Sequence, residues 1–232
     1  MKKKIGIICA MEEELAPLKE HMSTFQENRK AMMDFYDGNI DGKDVVMVVS
    51  GIGKVNAAIC AQILIDDYEV THLLNVGVAG GVKENLKPMD LIIATSLIQH
   101  DMDVRAFGLK RGEIPRLKSS IFIPDSNLNQ LLMEAAKKYT DSDVHEGLIV
   151  SGDAFISSKE KILDLLDAFD ASACEMEGAS IAHVAYLNEI PFAVIRAISD
   201  NANTGASMDY EKFKDLAAKN TVSMVLDLLK NL

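Results

Sequence analysis

Short apolar segments alternate with helical segments along most of this chain, and this alternation restricts the fold more than any other feature. Buried strands are predicted at 4–10, 73–78, 90–99, 147–151, 171–176 and 192–199. Helices are predicted at 11–22, 54–67, 127–139, 159–169, 178–188 and 210–229. Strands that alternate with helices of this length indicate crossover units and a largely parallel or mixed sheet. The sequence therefore predicts an α/β fold with helices on both faces of the sheet.

A β-hairpin is predicted near the N-terminal end, with arms at 31–37 and 43–50 and a turn at Asp41-Gly42. The chain has 232 residues, of which 48% are hydrophobic, so it can bury a large core. It contains no repeat, low-complexity segment or linker at which a second domain could begin. We therefore expect one domain over residues 1–232.

The charge balance excludes two classes of partner. The formal net charge of −11 repels a nucleic acid or an anionic bilayer, so neither is an expected partner.

The basic start at 2–4 imitates a secretory signal, but the acids at 12–14 interrupt the apolar run that follows it. No apolar run approaches the ~18 residues of a membrane-spanning helix. The three cysteines, Cys9, Cys60 and Cys174, are odd in number and lie in apolar segments, which favours a reducing, cytoplasmic location.

Acidic residues follow two of the predicted strands. Glu175 and Glu177 flank Met176 just before the predicted helix at 178–188, and Asp200 ends the strand at 192–199. One glutamate is explained by the partial positive charge of a helix N-terminus. Ligands in doubly wound folds bind outside the carboxyl ends of strands. If that helix joins the two strands, Glu177 and Asp200 lie at one edge of the sheet and form an acidic cleft.

Several known functional motifs are only partly present in this sequence. The Gly51–Lys54 segment lacks the glycine and the hydroxyl of a phosphate loop, because positions 48 and 55 are both valine. The segment 77–81 misses the dinucleotide-binding spacing, and Ser151 lacks the glycine of a nucleophile elbow. The acids that follow His100 have no patterned histidine partner. We expect neither a metal nor an organic cofactor.

Five colinear segments resemble the 5′-methylthioadenosine/S-adenosylhomocysteine nucleosidases: 5–14, 50–55, 151–156, 175–178 and 197–200. The resemblance spans nearly the whole chain. It implies the phosphorylase/hydrolase-like α/β/α fold in three layers around a central twisted mixed sheet, and a homodimer. It also implies hydrolysis of the N-glycosidic bond between adenine and a 5′-thio-substituted ribose.

The same resemblance assigns roles to individual residues. Glu14 would activate water, Asp200 would protonate adenine N7 with help from Ser199, and Glu177 would hold the ribose hydroxyls. Adenine and ribose contacts would come from Phe155, the Ile156 backbone and Met176. The 5′ substituent would meet Met11, Ile52 and Tyr210, with Val104, Phe107 and Pro115 entering from the other subunit. Further substrate contacts are expected at Val78, Ala79, Gly80 and Glu175, although many members of the family carry serine at the position of Val78.

This chemistry requires Asp200 to hold a proton near neutral pH and Glu14 to stay ionised. Some similar enzymes also cleave 6-amino-6-deoxyfutalosine, and the sequence does not decide whether this chain does so. Two alternatives stay open from the sequence. A purine nucleoside phosphorylase would need an anion site, which the acids at 12–14 disfavour. A non-catalytic nucleoside-binding protein would have no use for a buried proton donor.

Overall fold

A computed structural model describes residues 3–201 and 221–232. Its nine strands are β1 (Lys4–Cys9), β2 (Thr24–Lys30), β3 (Met33–Ile40), β4 (Lys43–Val49), β5 (His72–Gly81), β6 (Leu91–Gln99), β7 (Val144–Ser151), β8 (Ala173–Glu175) and β9 (Phe192–Asn201). The α-helices in the described residues are α1 (Glu12–Lys19), α2 (Lys54–Tyr68), α3 (Ser126–Tyr139), α4 (Lys159–Phe169), α5 (Gly178–Leu187) and α6 (Val222–Asn231). A 3-10 turn, Arg105–Phe107, interrupts the loop after β6.

The strands form one mixed sheet in the order β2-β3-β4-β1-β5-β8-β7-β6-β9, and β9 also pairs with β5. This last pairing closes β5, β8, β7, β6 and β9 into a ring. The strand β1 accompanies β5 from His72 to Asn75 only. Further along β5, the short β8 pairs with Gly80 and Gly81 in the antiparallel direction. The site described below lies where β8 and β9 flank the carboxyl end of β5.

Helices cover both faces of the sheet, as the sequence predicts. Buried side chains of α2 and α5 pack with one face, and those of α1, α3 and α6 pack with the other. The mixed α/β fold is therefore confirmed. No helix in the described ranges combines the length and apolar character needed to cross a bilayer. The predicted helix at 210–229 is seen as α6 from Val222, and its first part lies outside the described residues.

The hairpin prediction is also confirmed, because β3 and β4 pair antiparallel around Asp41 and Gly42, whose φ angles of 48° and 84° suit a tight hairpin turn. The sequence analysis missed β2, which pairs with β3 at the edge of the sheet. Every residue of β2 is exposed, so the segment lacks the alternation of polar and apolar residues that marks a half-buried strand. Its pairing depends on the backbone of β3.

One part of the sequence argument is wrong. Glu177 and Asp200 were expected at one edge because β8 and β9 would both end there. Instead β8 runs antiparallel to β5, whereas β9 runs parallel to β5, so the two strands have opposite directions. The two acids face one cavity because the strands form a closed ring, which brings β8 and β9 to opposite sides of Gly80.

Candidate active site

A cavity of about 560 Å³ opens where β8 and β9 flank the end of β5. Twelve of the predicted site residues line it: Met11, Glu14, Ile52, Val78, Ala79, Gly80, Phe155, Glu175, Met176, Glu177, Ser199 and Asp200. Ile156 lines a small adjoining cavity together with Phe155, Met176 and Asp200. The sequence analysis did not assign Ala10 and Cys174 to the site, although both line the same cavity.

Three predicted residues within the described ranges do not line this cavity, and a fourth falls outside those ranges. Phe107 is 83% exposed, and Pro115 is also exposed on the loop after β6. Val104 precedes the 3-10 turn and is partly buried. Tyr210 lies outside the described residues. The first three were expected to enter the site of a second subunit, so their distance from this cavity agrees with that expectation without testing it.

Glu14 is held by backbone groups at the start of α1. Its Oε2 accepts hydrogen bonds from the N–H groups of Ala10 and Met11, and its Oε1 accepts one from Val78 at 3.0 Å. Burial raises the pKa of Glu14, while the nearby Arg196 guanidinium and these N–H groups act in the opposite direction. Of the three successive glutamates at 12–14, Glu14 is buried and the other two are exposed. The structure therefore buries the one glutamate of the three to which the family resemblance assigns a role.

Arg196 is the functional candidate that the sequence analysis missed. It lies in the centre of β9 with 2% of its surface exposed, and its Nη2 donates to Asn75 and to Glu175. A Cβ atom built on Gly77 would lie 2.5 Å from Glu14 Oε1 and 3.0 Å from Arg196 Nη1, so these groups are close neighbours. A single charge inside the apolar run 192–199 was the signal, because a buried arginine needs acidic partners.

The carboxylate of Glu175 accepts hydrogen bonds from other groups of the protein. Its Oε2 accepts from Arg196 and from the N–H groups of Glu177 and Gly178, and its Oε1 accepts from the Ser151 hydroxyl. These bonds satisfy N–H groups at the start of α5, where the partial charge of the helix also favours an acid. Glu175 was predicted as a substrate contact, and the geometry gives its carboxylate a different task, which is to fix the start of α5 and the guanidinium of Arg196.

Glu177 occupies the N-cap position of α5 and faces the cavity with 6% of its surface exposed. The N–H of Gly53, in the loop before α2, donates to its Oε1 at 2.7 Å. Burial and then the neighbouring charge of Glu175 raise the pKa of Glu177 to about 7, although the Gly53 N–H opposes them. Glu177 therefore changes its charge near neutral pH in the ligand-free protein.

Asp200 reaches the cavity through an irregularity in the sheet. Ala79 pairs with Ile198 and Gly80 pairs with Asp200, so Ser199 is an extra residue in β9. A bulge of this kind changes the direction of the following side chain. The Ser199 hydroxyl donates to Asp200 Oδ1 at 2.6 Å, and a Cβ atom on Gly80 would lie 3.4 Å from Asp200 Oδ2. The predicted role of Ser199 in placing Asp200 is consistent with this contact.

Replacing Arg196 by methionine should destabilise the protein strongly. The substitution leaves the buried carboxylates of Glu14 and Glu175 without the guanidinium that lies near both of them. Removing one member of a buried ion pair costs about 3–5 kcal/mol. For a chain of this length, that corresponds to a fall in Tm of roughly 6–20 °C. Differential scanning calorimetry measures it.

The matched control for this prediction is Arg29→Met, because Arg29 also pairs with an acid, Asp34, but on the surface of the β2–β3 hairpin. An exposed pair contributes at most about 1 kcal/mol. Equal Tm values for the two variants would contradict the assignment of Arg196 as the charge partner of the buried acids.

The fold and the cavity define a class of protein: the family model described as the phosphorylase superfamily matches residues 4–230. A 5′-methylthioadenosine/S-adenosylhomocysteine nucleosidase of Haemophilus influenzae (strain PittEE) is 42% identical over 230 residues, which cover 99% of this chain and 100% of that protein. The solved nucleosidase of Neisseria meningitidis, in complex with methylthio-immucillin-A, gives a TM-score of 0.95 at 37% identity and covers 99% and 100% of the two chains.

A futalosine hydrolase of Helicobacter pylori strain 26695 has nearly the same fold, with a TM-score of 0.94, 36% identity and coverage of 99% and 98% of the two chains. The chain therefore belongs to the 5′-methylthioadenosine/S-adenosylhomocysteine nucleosidases of that superfamily, and it is an N-glycosyl hydrolase that cleaves nucleosides.

Proposed function

We propose that this enzyme hydrolyses the bond between ribose C1′ and adenine N9 in 5′-methylthioadenosine and S-adenosylhomocysteine, with Glu14, Glu177 and Asp200 as its catalytic residues. The observation that supports the proposal is the charge of the cavity. Among its described lining residues, the charged ones are four acids: Glu14, Glu175, Glu177 and Asp200. Buried negative charge stabilises a sugar that becomes cationic as its bond to adenine breaks.

Each catalytic acid has one task. Asp200 donates its proton to adenine N7, so that the base leaves as a neutral molecule. Glu14 accepts a proton from the water that attacks C1′, while Arg196 lies beside it as the neighbouring cation. Glu177 accepts hydrogen bonds from the ribose hydroxyls. Adenine and the 5′-thio-substituted ribose are the products, and solvent returns the proton from Glu14 to Asp200 between turnovers.

The anchor points of acid and base along β5 agree with this division. Glu14 is bound to the N–H of Val78, and Asp200 pairs with Gly80 two residues further on. Two residues of a strand span roughly 7 Å. Inverting glycosidases separate their carboxyl groups by about 6.5–9.5 Å, which leaves room for one water molecule. The anchor points of the two acids on β5 are a similar distance apart, which supports direct attack of water on the sugar.

The remaining wall residues provide contacts of suitable character. Phe155 is 52% exposed at the cavity, and we propose that it stacks on adenine, whose edge the Ile156 backbone reads. Met176 packs on the ribose, and Met11 and Ile52 meet the 5′ substituent. The side chain of Val78 carries no hydroxyl toward the ribose, so its contribution to the site is apolar apart from the N–H that holds Glu14.

We also propose a homodimer in which Val104, Phe107 and Pro115 complete the 5′ side of the partner's site. Apolar side chains exposed near this loop and on α2 support it, since Val55, Ile59 and Phe107 are 68%, 43% and 83% exposed. A dimer interface would remove these side chains from water. Sedimentation equilibrium tests the dimer.

The expected cytoplasmic location stays a prediction. The three buried free thiols agree with it.

A substrate panel tests the proposed reaction. Purified protein receives 5′-methylthioadenosine, S-adenosylhomocysteine and 6-amino-6-deoxyfutalosine, with and without phosphate, and adenine release is measured. We expect release from the first two at rates independent of phosphate. The third shares the ribose–adenine portion, and the structural similarity to a futalosine hydrolase justifies including it. Formation of ribose 1-phosphate products would favour a phosphorylase, and binding without adenine release would favour a nucleoside-binding protein.

The ligand-free enzyme should lose stability as the pH rises from about 4.5 to about 7.5, and Glu177→Gln should reduce that loss. The pKa of Glu177 is about 7 in the folded protein and about 4.3 in an unfolded chain. A raised pKa stabilises the folded state below the unfolded value, and this stabilisation disappears as the pH rises through 7. Glutamine keeps an acceptor for the Gly53 N–H but does not titrate. Equal pH dependence of Tm in the two proteins would contradict the assignment.

A further inference from the structure

Three polar residues outside the cavity form a closed ring of hydrogen bonds between the loops that carry its walls. The Lys54 N–H donates to Asp153 Oδ1 at 2.8 Å, and the Asp153 N–H donates to Asp101 Oδ2 at 3.0 Å. The Lys54 ammonium closes the ring on Asp101 Oδ1 at 2.6 Å and also donates to Gln99. We name Lys54, Asp101 and Asp153 the loop clasp. The ring joins two segments that the sequence analysis considered: Gly51–Lys54, which resembles a phosphate loop, and the acids that follow His100.

The loop clasp forms at the N-terminus of α2, where the N-cap residue is Gly53 and has no side chain to bind the first N–H groups. Two carboxylates from distant parts of the chain take the place of the missing N-cap side chain as hydrogen-bond acceptors. Glu177 accepts from the N–H of Gly53, and Asp153 accepts from the N–H of Lys54. Gly53 has a φ of 101°, and a Cβ atom there would lie 3.3 Å from Asp153 Oδ1. Glu177 and Asp153 therefore accept hydrogen bonds from two successive N–H groups of the same backbone turn, those of Gly53 and Lys54.

The loop clasp also connects two separate segments that line the cavity. Lys54 follows the turn that carries Ile52 and the Gly53 N–H, whereas Asp153 precedes Phe155 by two residues. Asp101, after β6, joins both segments through its two oxygens. Adenine alone would contact mainly the Phe155 side, whereas an intact nucleoside spans the distance from Phe155 to Glu177. The separation of these walls matters for the nucleoside more than for the free base.

We propose that Lys54, Asp101 and Asp153 are positioning residues that fix the Phe155 wall relative to the Glu177 carboxylate and so determine the affinity for the intact nucleoside. This inference rests on the proposed function, because it takes the adenine and ribose positions from it. The loop clasp touches neither substrate nor reacting atoms, and it acts through the backbone of Gly53 and of the segment before Phe155.

The charges within the loop clasp agree with a bond that persists at neutral pH. Partial burial acts to raise the pKa of Asp101, but the Lys54 ammonium and the Asp153 N–H outweigh it, so the pKa lies below its ordinary value. A lowered pKa means that the stabilisation is present above the unfolded value and is lost as the pH falls through the folded one. The titratable groups facing Asp101 here include His100, whose charge would lower that pKa further.

The test compares Asp101→Ala with Asp67→Ala. Asp67 is the matched control, since it also pairs with a lysine, Lys30, and lies at the opposite end of α2. Isothermal titration with adenine and with 5′-methylthioadenosine, both in an Asp200→Asn background that preserves the nucleoside, gives the affinities. We expect Asp101→Ala to weaken nucleoside binding about tenfold and adenine binding less than about twofold. In the wild-type background, KM should rise by a similar factor with little change in kcat.

Two further variants keep the test decisive if Asp101→Ala does not fold. Lys54→Met should produce the same selective loss of nucleoside affinity, and Asp101→Asn, which keeps an acceptor for the Asp153 N–H, should produce a smaller one. Equal losses for adenine and nucleoside, or affinities equal to those of Asp67→Ala, would overturn the proposal. Absence of adenine release by the wild-type enzyme would overturn the proposed reaction instead, and the two binding measurements would still decide the role of the clasp.

Discussion

Asp200→Asn should lower kcat for 5′-methylthioadenosine by about 10²–10⁴-fold, the usual contribution of a general acid. Asparagine can occupy the same position and accept from the Ser199 hydroxyl, but it has no proton to transfer to adenine N7. The leaving base would then carry negative charge, which the surrounding carboxylates repel. Because the shape of the site is preserved, we expect KM to change little. Single-turnover measurement of adenine release gives the rate of the chemical step.

The control for this variant is Asp227→Asn, since Asp227 is also a buried carboxylate but lies on α6, where it accepts from Lys138 and Tyr139. We expect its kcat to equal that of the wild type. A kcat for Asp200→Asn that falls no further than that of Asp227→Asn would remove Asp200 as the acid and would leave protonation of the base to solvent.

Glu14→Gln should lower kcat by a similar factor, about 10²–10⁴-fold, because glutamine cannot take a proton from the attacking water. The amide oxygen can still accept from the backbone N–H groups that hold Glu14. Burial raises the pKa of Glu14, so the ionised carboxylate is costly to the folded state. The variant should therefore combine a large loss of rate with an unchanged or higher Tm near neutral pH, a combination that general disruption of the fold does not produce.

Glu12→Gln provides the control for Glu14→Gln, because Glu12 lies in the same helical turn and is exposed. Its rate and Tm should match those of the wild type. If Glu14→Gln retained the wild-type rate, water would have to be activated by another group, and Glu177 would be the next candidate because it also faces the cavity.

Patterns of neighbouring residues were sufficient to predict most of the strands and helices that carry the site. The largely apolar run before Asp200 marked β9, and the helix that begins at Gly178 was predicted from its position after the acids. Helical geometry alone required that not all of the three glutamates at 12–14 face the cleft, and only Glu14 is buried. Such features depend on residues close together in the chain, and the sequence displays them directly.

The hydrogen-bond partners of the buried charges could not be predicted in the same way. Arg196 binds Asn75 and Glu175, which are 121 and 21 residues away in the chain, and the Glu177 carboxylate receives an N–H from Gly53, 124 residues away. No local pattern specifies which strand lies beside which. The closed ring of strands places these residues together, and within it β8 and β9 run in opposite directions, whereas the sequence argument required them to end at one edge of the sheet.

By itself, the sequence determined the alternation of strands and helices, which follows from side-chain chemistry and spacing along one chain. The choice of Glu14, Glu177 and Asp200 as catalytic acids came from the resemblance of five colinear segments to one family, and it stays a proposal. Only the tertiary structure decided that β9 closes onto β5, that the bulge at Ser199 directs Asp200 into the cavity and that Arg196 lies beside Glu14. The reason is physical: burial and electrostatic interaction depend on distances in space, and strands far apart in the chain set those distances when they pair.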